Sequence, residues 1–198
     1  MFFLFSLHPY TQEGTGNGHR KSEKIFFLWY KTGCHSWKFM DMNELIEDLK
    51  LKIHTRGSDY SIMDTENYGY DPTPYAALKK PAESGEVTKE DTLVDFGCGK
   101  GRVGIYLHEH IGCKIIGVDY SWKRIDEAQE NLKRYGETDE ICFVHASAEQ
   151  FDPGEGTCFY FFNPFALQVF EAMIRSIAKV QHETGKNMKI LFYYPTKE

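Results

Sequence analysis

Residues 93–102 read LVDFGCGKGR, an apolar run that ends in three glycines at alternate positions. A turn built from glycine adopts positive φ easily and lets a ligand approach the main chain. The segment GRVGIYLHEH (101–110) follows at once and carries apolar residues at helical spacing. This order of strand, glycine loop and helix predicts a nucleotide-like ligand at the end of the first strand of an α/β sheet.

Further apolar runs alternate with helical segments along the rest of the chain. Strands are predicted at 91–97, 114–119, 141–147, 158–163 and 188–195, and helices at 101–110, 121–136 and 164–185. The strands are nearly continuous apolar runs, which is typical of a parallel sheet covered on both faces. The sequence therefore predicts an α/β fold with a doubly wound, mostly parallel, Rossmann-like sheet and helices on both faces.

The chain divides into three parts. Residues 1–40 form an aromatic-rich extension in which neither helical nor strand periodicity persists, so no structure is predicted there. One hypothesis is that translation starts at Met40 or Met42 and that the preceding residues take no part in the fold. Residues 41–90 contain an amphipathic helix and then a turn-rich segment, and residues 91–198 form the Rossmann-like domain.

Composition limits the function classes. The 198 residues are 41% apolar and 26% charged, as in a soluble globular domain, and the net charge is −6. A negative net charge disfavours nucleic acid as a partner, because phosphate neutralisation needs a cationic surface. The sequence contains no run of 18 or more apolar residues, so no membrane-spanning helix is predicted. Five cysteines at no metal-ligand spacing predict reduced thiols, a cytoplasmic location and no metal site.

An acidic residue follows the second predicted strand. Asp119 lies 22 residues after Gly97, a spacing that suits a carboxylate accepting hydrogen bonds from both ribose hydroxyls of a nucleoside ligand. A dinucleotide fingerprint places glycine or alanine where Arg102 stands, and a large side chain there is expected to obstruct close helix–strand packing. Arg102 and the preceding Asp95 thus disfavour an NAD-dependent oxidoreductase, which is kept as a minor alternative.

The glycine loop with its leading aspartate, DFGCGKG (95–101), resembles motif I of the class I S-adenosylmethionine-dependent methyltransferases, and the resemblance covers roughly residues 68–198. It implies S-adenosyl-L-methionine as cofactor and methyl transfer as activity. Gly97, Cys98, Gly99 and Gly101 would pass beneath the amino-acid end of the cofactor. Asp95 would lie near its ammonium group.

The same resemblance implies residues for the nucleoside end. Asp119 would bind the ribose and Tyr120 would lie against the adenine. Ser147 and Ala148 stand where the family usually has Asp-Ala, and a hydroxyl accepts a hydrogen bond from the adenine amino group more weakly than a carboxylate does. Glu149 is a candidate to compensate.

Two further segments are implied near the transferable methyl. Asn163, Pro164 and Phe165 follow strand four, where related amino-methyltransferases carry a similar but longer motif, and Asn163 is a candidate for contact with both the cofactor and a substrate nitrogen. The segment YDPTPY (70–75) resembles the pre-motif segment of little-characterised bacterial methyltransferases and of some protein-lysine methyltransferases. Thr73 and Tyr75 would cap the cofactor, with Tyr75 also lining the substrate site.

The family's sheet has seven strands and ends in an antiparallel hairpin, whereas five strands are predicted here. The hairpin is thus expected to be missing, and the edge of the last strand is expected to lie open and to promote association unless FFLWYK (26–31) pairs with it.

These features predict a methyltransferase acting on an unidentified acceptor, favoured as a nitrogen (protein lysine or a small amine) or a small-molecule oxygen. The main alternative is a cofactor-binding domain with little catalysis, owing to the short sheet. No catalytic base is assigned, because displacement at a sulfonium mainly requires alignment and desolvation. His145 is expected to be a packed strand residue, and the basic residues of 123–134 are expected to form a solvated face.

Overall fold

The computed structural model describes residues 2–7, 42–60, 69–162 and 167–193. Six strands form one sheet in the order β1-β6-β5-β2-β3-β4. The strands are β1 (Phe2–Leu7), β2 (Thr92–Phe96), β3 (Lys114–Asp119), β4 (Ile141–His145), β5 (Cys158–Phe162) and β6 (Met188–Tyr193). Strands β2 to β6 pair only in parallel with one another, so the predicted parallel, Rossmann-like sheet is confirmed.

The described helices cover both faces of this sheet. They are α1 (Met42–Leu51), α2 (Tyr75–Glu83), α3 (Arg102–Ile111), α4 (Trp122–Tyr135) and α5 (Leu167–Thr184). Alternate residues of β2 point to opposite sides: Leu93 packs with residues of α1 to α4, whereas Val94 packs with residues of α5. This alternation places the side chain of every second strand residue in the core beneath α3 and α4.

The boundaries of α4 are set by the predicted residues. Ser121 occupies the N-cap position and Gly136 the C-cap, where the Gly136 amide donates to the carbonyl of Leu132. The Ser121 side chain, however, makes no capping hydrogen bond. Its backbone amide instead donates to Oδ1 of Asp119 at 2.9 Å, which ties the start of α4 to the end of β3.

The edge of β6 is not open. β1 pairs with it antiparallel along its whole length, from Phe2 opposite Tyr193 to Leu7 opposite Met188. The expectation of an uncovered edge is therefore wrong, and so is the hypothesis that nothing before Met40 takes part in the fold. The physical reason is that a β6 edge offers unpaired amide and carbonyl groups to any extended segment that reaches it. The segment 26–31 lies outside the described residues.

We expect deletion of residues 1–7 to expose this edge. The melting temperature should fall by roughly 2–8 °C, the shift that about 1–2 kcal/mol produces in a chain of this size. Size-exclusion chromatography should show concentration-dependent association that the full-length chain at equal concentration does not show. Identical melting and elution profiles would contradict the role given to β1.

Candidate active site

A cavity of about 220 Å³ lies at the C-terminal ends of the central strands. Its lining includes residues 95–98 at the end of β2, 118–120 at the end of β3, 146–149 after β4, and 69–73 before α2. β2 leads to β3 and β4 on one side, while β5 and β6 lie on the other, so the cavity sits where the strand order reverses. Open α/β sheets bind their ligands at this point.

The glycine loop has the backbone that its sequence predicts. Gly97, Gly99 and Gly101 have φ values of +80°, +55° and +82°. Gly97 and Cys98 line the cavity, whereas Gly99 and Gly101 do not. Positive φ at these positions explains the need for glycine without any ligand.

Gly99 and Gly101 are covered by aromatic rings of the protein itself. A Cβ on Gly99 would lie 2.5 Å from the ring of Tyr70, and a Cβ on Gly101 would lie 2.5 Å from the ring of Phe143. The close approach at these two glycines is thus between the loop and neighbouring side chains. Their predicted position directly beneath the cofactor does not match this arrangement.

Asp119 is buried and holds the loop in place. Its Oδ2 accepts a hydrogen bond from the amide of Gly99 and its Oδ1 accepts one from the amide of Ser121, both at 2.9 Å. Burial raises the pKa of Asp119, and the amides together with the charge of Arg124 counteract part of that rise. Each carboxylate oxygen has a second lone pair, so the site has room for the predicted contact with two ribose hydroxyls.

Asp95 is buried, and no hydrogen bond among the described residues compensates for the burial of its Oδ2. Its side chain is 2% exposed, and its Oδ2 has no hydrogen-bond partner within the described residues. Burial, and secondarily the charge of Asp119, raise the pKa of Asp95 to about 8. A buried carboxylate oxygen without a partner is costly. Because Asp95 lines the cavity, a cationic ligand group such as an ammonium fits its carboxyl group.

The cavity is bounded on another side by two hydroxyls. Oγ1 of Thr73 and the hydroxyl of Tyr160 are 3.0 Å apart, and both residues line the cavity. Tyr160 is paired in register with Asp95 on neighbouring strands, so both side chains lie on the same face of the sheet. Thr73 therefore lies at the cavity, and its predicted contact with the cofactor stays a prediction.

Tyr75 is not placed there. Its hydroxyl donates to Oδ1 of Asp48 at 2.6 Å, and its ring lies 4.3 Å below the guanidinium of Arg102. It does not belong to the cavity lining. The structure thus contradicts its expected position at the substrate site, because Asp48 of α1 offers a buried acceptor on the opposite side.

Arg102 is the residue whose role the sequence did not indicate. It is 2% exposed, and its Nε donates to Oγ1 of Thr55 at 2.7 Å. Its Nη1 donates to Glu44 and to the carbonyl of Thr73, and its Nη2 lies 3.5 Å from Asp48. The signal in the sequence was Asp48 itself, since a carboxylate on the buried side of an amphipathic helix requires a partner.

The side chain of Arg102 does not obstruct the contact between α3 and the sheet. It extends to α1, and the close approach falls at Gly104, where a Cβ would lie 2.5 Å from Ile115. Arg102 does stand where a dinucleotide fingerprint has glycine or alanine. The argument that its side chain would obstruct helix–strand packing was nevertheless wrong.

Tyr120, Ser147, Ala148 and Glu149 also line the cavity. Their predicted contacts with adenine stay predictions. His145 lies beside them as a packed residue: its Nε2 is 2.7 Å from the Tyr120 carbonyl and its ring stacks on that of Trp122. Asn163, Pro164 and Phe165 lie outside the described residues.

The basic residues of α4 do not form one solvated face. Lys123 and Arg134 are exposed or half-exposed and pair with Asp59 and Glu130. Arg124, by contrast, is only 6% exposed and lines the cavity. The expectation was wrong for Arg124 because a residue in the first turn of α4 lies next to the glycine loop.

The described segments contain neither a membrane-spanning helix nor a cluster of metal-binding side chains. None of their helices is long and apolar enough to cross a membrane. They also contain no group of three histidine, cysteine or acidic side chains arranged to hold a metal ion. Cys98, Cys113, Cys142 and Cys158 are free thiols, and the cytoplasmic location stays a prediction.

Comparison with known proteins agrees with this geometry. The family model described as a methyltransferase domain matches residues 93–185. A protein-lysine N-methyltransferase from Saccharolobus islandicus is 32% identical over 89 residues, 44% of this chain and 55% of the relative. A geranyl diphosphate 2-C-methyltransferase from Saccharopolyspora erythraea is 36% identical over 59 residues, 30% of this chain and 21% of the relative. The chain thus spans about half of the first relative and a fifth of the second.

Among solved structures, an RNA methyltransferase from Salinibacter ruber in complex with S-adenosyl-L-homocysteine is similar to this chain. The identity is 25% and the TM-score 0.47, over 54% of this chain and 68% of that one.

A glycine loop at the switch point of a parallel sheet, with a carboxylate after the next strand, defines a nucleoside-cofactor domain of the Rossmann-like class. The match of residues 93–185 to a methyltransferase domain and the similarity to methyltransferases support the class I S-adenosylmethionine-dependent methyltransferase family. The cofactor of this family carries an ammonium group and a ribose. Asp95, whose Oδ2 has no partner among the described residues, fits the ammonium group. Asp119, which accepts one amide hydrogen bond on each oxygen, fits the ribose hydroxyls.

Removal of the Arg102 guanidinium should destabilise the whole domain. Arg102→Met removes the buried cation that pairs with Glu44 and Asp48, and leaves Asp48 only the half-exposed Arg56 at 3.6 Å. Breaking a buried ion pair typically costs about 3–5 kcal/mol of unfolding free energy. Lys79→Met is the control, because the exposed pair of Lys79 with Glu83 should contribute less than about 1 kcal/mol. Urea denaturation measures both variants, and equal effects would contradict the structural role of Arg102.

Asp95 should make stability fall with rising pH in the absence of ligand. The unfolded chain ionises it near the ordinary aspartate pKa of 3.8, whereas the folded protein keeps it protonated up to a pKa of about 8. The folded state then binds more protons in this window, so the free energy of unfolding declines as pH rises through it.

Asp95→Asn cannot ionise and should flatten this decline. We expect the variant to be more stable than the wild type by about 1–3 kcal/mol near pH 8, as measured by urea denaturation across the window. Asp126→Asn, an exposed site on α4, is the control. A slope against pH that Asp95→Asn leaves unchanged would show that Asp95 is not the group responsible.

Proposed function

We propose that this chain is a methyltransferase (EC 2.1.1.-) that binds S-adenosylmethionine in the cavity and transfers its methyl group to an acceptor nitrogen. The observation that carries the proposal is Asp95, a buried carboxylate whose Oδ2 has no partner in the described structure. It lies in the same cavity as Asp119. The two carboxylates match the cationic and ribose ends of one ligand.

The charge of the cavity supports a cationic ligand. Asp71, Asp119 and Glu149 line it, against Arg102 and Arg124, and Asp95 adds a further carboxyl group. The charge of Arg102 is already matched by the carboxylates of α1. The remaining excess of negative charge attracts groups such as an ammonium, a sulfonium or a protonated amine.

In the proposed reaction, the cofactor supplies an electrophilic methyl on its sulfonium. Asp95 would hold the ammonium end and Asp119 the ribose. Tyr120, Ser147 and Ala148 would hold the adenine. The hydroxyls of Thr73 and Tyr160 contact each other, and both residues line the cavity together with Asp95. These contacts fix the leaving group and exclude water, which is the main contribution that a protein makes to such a displacement.

The acceptor nitrogen is proposed as a lysine side chain or a small amine. The acidic cavity supports this class, and one relative is a protein-lysine N-methyltransferase, although the match covers only 55% of it. The nitrogen must lose a proton before it attacks, and water is a sufficient acceptor. Asn163 is the proposed contact for the substrate nitrogen. A small-molecule oxygen acceptor is the second candidate.

The alternative was a cofactor-binding domain with little or no catalysis, based on a sheet of five strands without the C-terminal hairpin. That argument is weaker now, because β1 pairs antiparallel with β6 as a sixth strand. Turnover and binding are nevertheless separate measurements. Calorimetric titration with S-adenosylhomocysteine, with NAD as control, tests the cofactor; transfer of labelled methyl to lysine peptides, amines and alcohols tests the acceptor. Binding without transfer to any acceptor would favour the domain without turnover.

Asp119→Ala should weaken the binding of S-adenosylhomocysteine by about 1–3 kcal/mol, the range for losing a hydrogen-bonded charged partner. Calorimetry gives the affinity, and thermal melting verifies that the variant is folded, because Asp119 also accepts from two loop amides. Asp126→Ala on the exposed side of α4 should bind as the wild type does. An unchanged affinity of Asp119→Ala would remove Asp119 from the ribose site.

A further inference from the structure

Arg124 is a buried cation that the proposed reaction does not use. It is 6% exposed and lines the same cavity as Asp119. Its Nη2 is buried and has no hydrogen-bond partner within the described part of the chain. A guanidinium nitrogen that is desolvated and unpartnered is costly, which points to a ligand as its missing acceptor.

The position of Arg124 is set by Tyr70. The guanidinium carbon lies 5.8 Å from the centroid of the Tyr70 ring, and Nζ of Lys100 lies 5.0 Å from the same centroid. The Tyr70 hydroxyl donates to the carbonyl of Thr55 at 2.6 Å, which anchors the ring over the glycine loop. Arg124 therefore packs against a fixed aromatic surface at the cavity.

Asp119 and Arg124 have complementary hydrogen-bonding capacity. A carboxylate only accepts hydrogen bonds and a guanidinium only donates them, whereas a ribose hydroxyl does both. A ribose whose hydroxyls donate to Asp119 still has oxygen lone pairs that need a donor. Arg124 lines the same cavity as Asp119, and its Nη2 has no hydrogen-bond partner among the described residues, so its guanidinium can supply that donor.

We propose that Arg124 is a further cofactor-binding residue, which donates from its guanidinium to a ribose hydroxyl oxygen while Asp119 accepts from the ribose hydroxyls. This inference rests on the proposed function. Arg124 also has an electrostatic effect: its charge lowers the pKa of Asp119 against the rise caused by burial. The carboxylate is thereby kept in the ionised form that accepts best.

Two ligands separate this role from that of Asp95. S-Adenosylhomocysteine contains both the ribose and the amino-acid end, whereas 5′-methylthioadenosine contains the ribose and adenine only. Arg124→Met should weaken the calorimetric binding of both ligands by about tenfold or more. Asp95→Asn should weaken only S-adenosylhomocysteine. Arg134→Met, the same change on the half-exposed arginine of α4, is the matched control and should change neither affinity.

The pH profile distinguishes this role from a packing role. The groups that face Asp119 are the amides of Gly99 and Ser121 and the charges of Arg124, His145 and Asp95. Without Arg124, the pKa of Asp119 rises further, so the ratio of the dissociation constants of Arg124→Met and wild type should increase as pH falls. His145 and Asp95 are present in both proteins, so their direct effects cancel in the ratio. Arg124→Lys keeps the charge and should keep the wild-type profile.

The outcomes separate the inference from the proposed function. If the wild type binds neither ligand, both are overturned. If it binds and Arg124→Met binds equally well, even with a lower melting temperature, Arg124 is structural and only this inference fails. Should Arg124→Met not fold, Arg124→Lys decides: its changed geometry should weaken both ligands severalfold, and unchanged affinities for both would overturn the inference.

Discussion

The buried ion cluster around Arg102 fixes the N-terminal part of the structure on the Rossmann-like sheet. Asp48 accepts hydrogen bonds from the amide and hydroxyl of Thr55 at 3.0 and 2.7 Å and from the hydroxyl of Tyr75 at 2.6 Å. Arg102 adds its charge to Asp48 and Glu44. Buried charges are costly unless they are paired and hydrogen-bonded, so this cluster favours one arrangement of α1, residues 53–55 and the start of α2 around α3.

The cluster has a direct consequence for the cavity. The carbonyl of Thr73 accepts from Arg102 and its hydroxyl contacts Tyr160, which places segment 69–73 over the ends of the strands. While Thr73 is held in this way, Asp95 and Arg124 retain polar atoms without partners among the described residues. Stability is given up at these two positions, as is common where a protein keeps polar groups prepared for a ligand. The frame around Arg102 is thus held by internal bonds, and the cavity keeps its free polar atoms for a ligand.

Local sequence patterns predicted five strands of the sheet but not the sixth. The strands β2 to β6 were predictable because each is a continuous apolar run bounded by turn residues. β1 was not, because its short apolar run has no local signal that distinguishes a strand from an unstructured terminus. Its partner, β6, lies about 180 residues away in sequence. Pairing at that separation depends on which edge the folded sheet leaves available.

The sequence by itself determined the glycine loop, the carboxylate at the end of β3 and the order of strands and helices, because turn chemistry and hydrophobic periodicity act within a few residues. Only the tertiary structure decided which polar side chains are buried. Tyr75 was expected at the substrate site but donates a hydrogen bond to Asp48. Arg124 was expected on a solvated face but lines the cavity. The burial of a charge depends on partners supplied by distant segments, such as Tyr70 for Arg124 and α1 for Arg102. Periodicity along one helix carries no information about those partners.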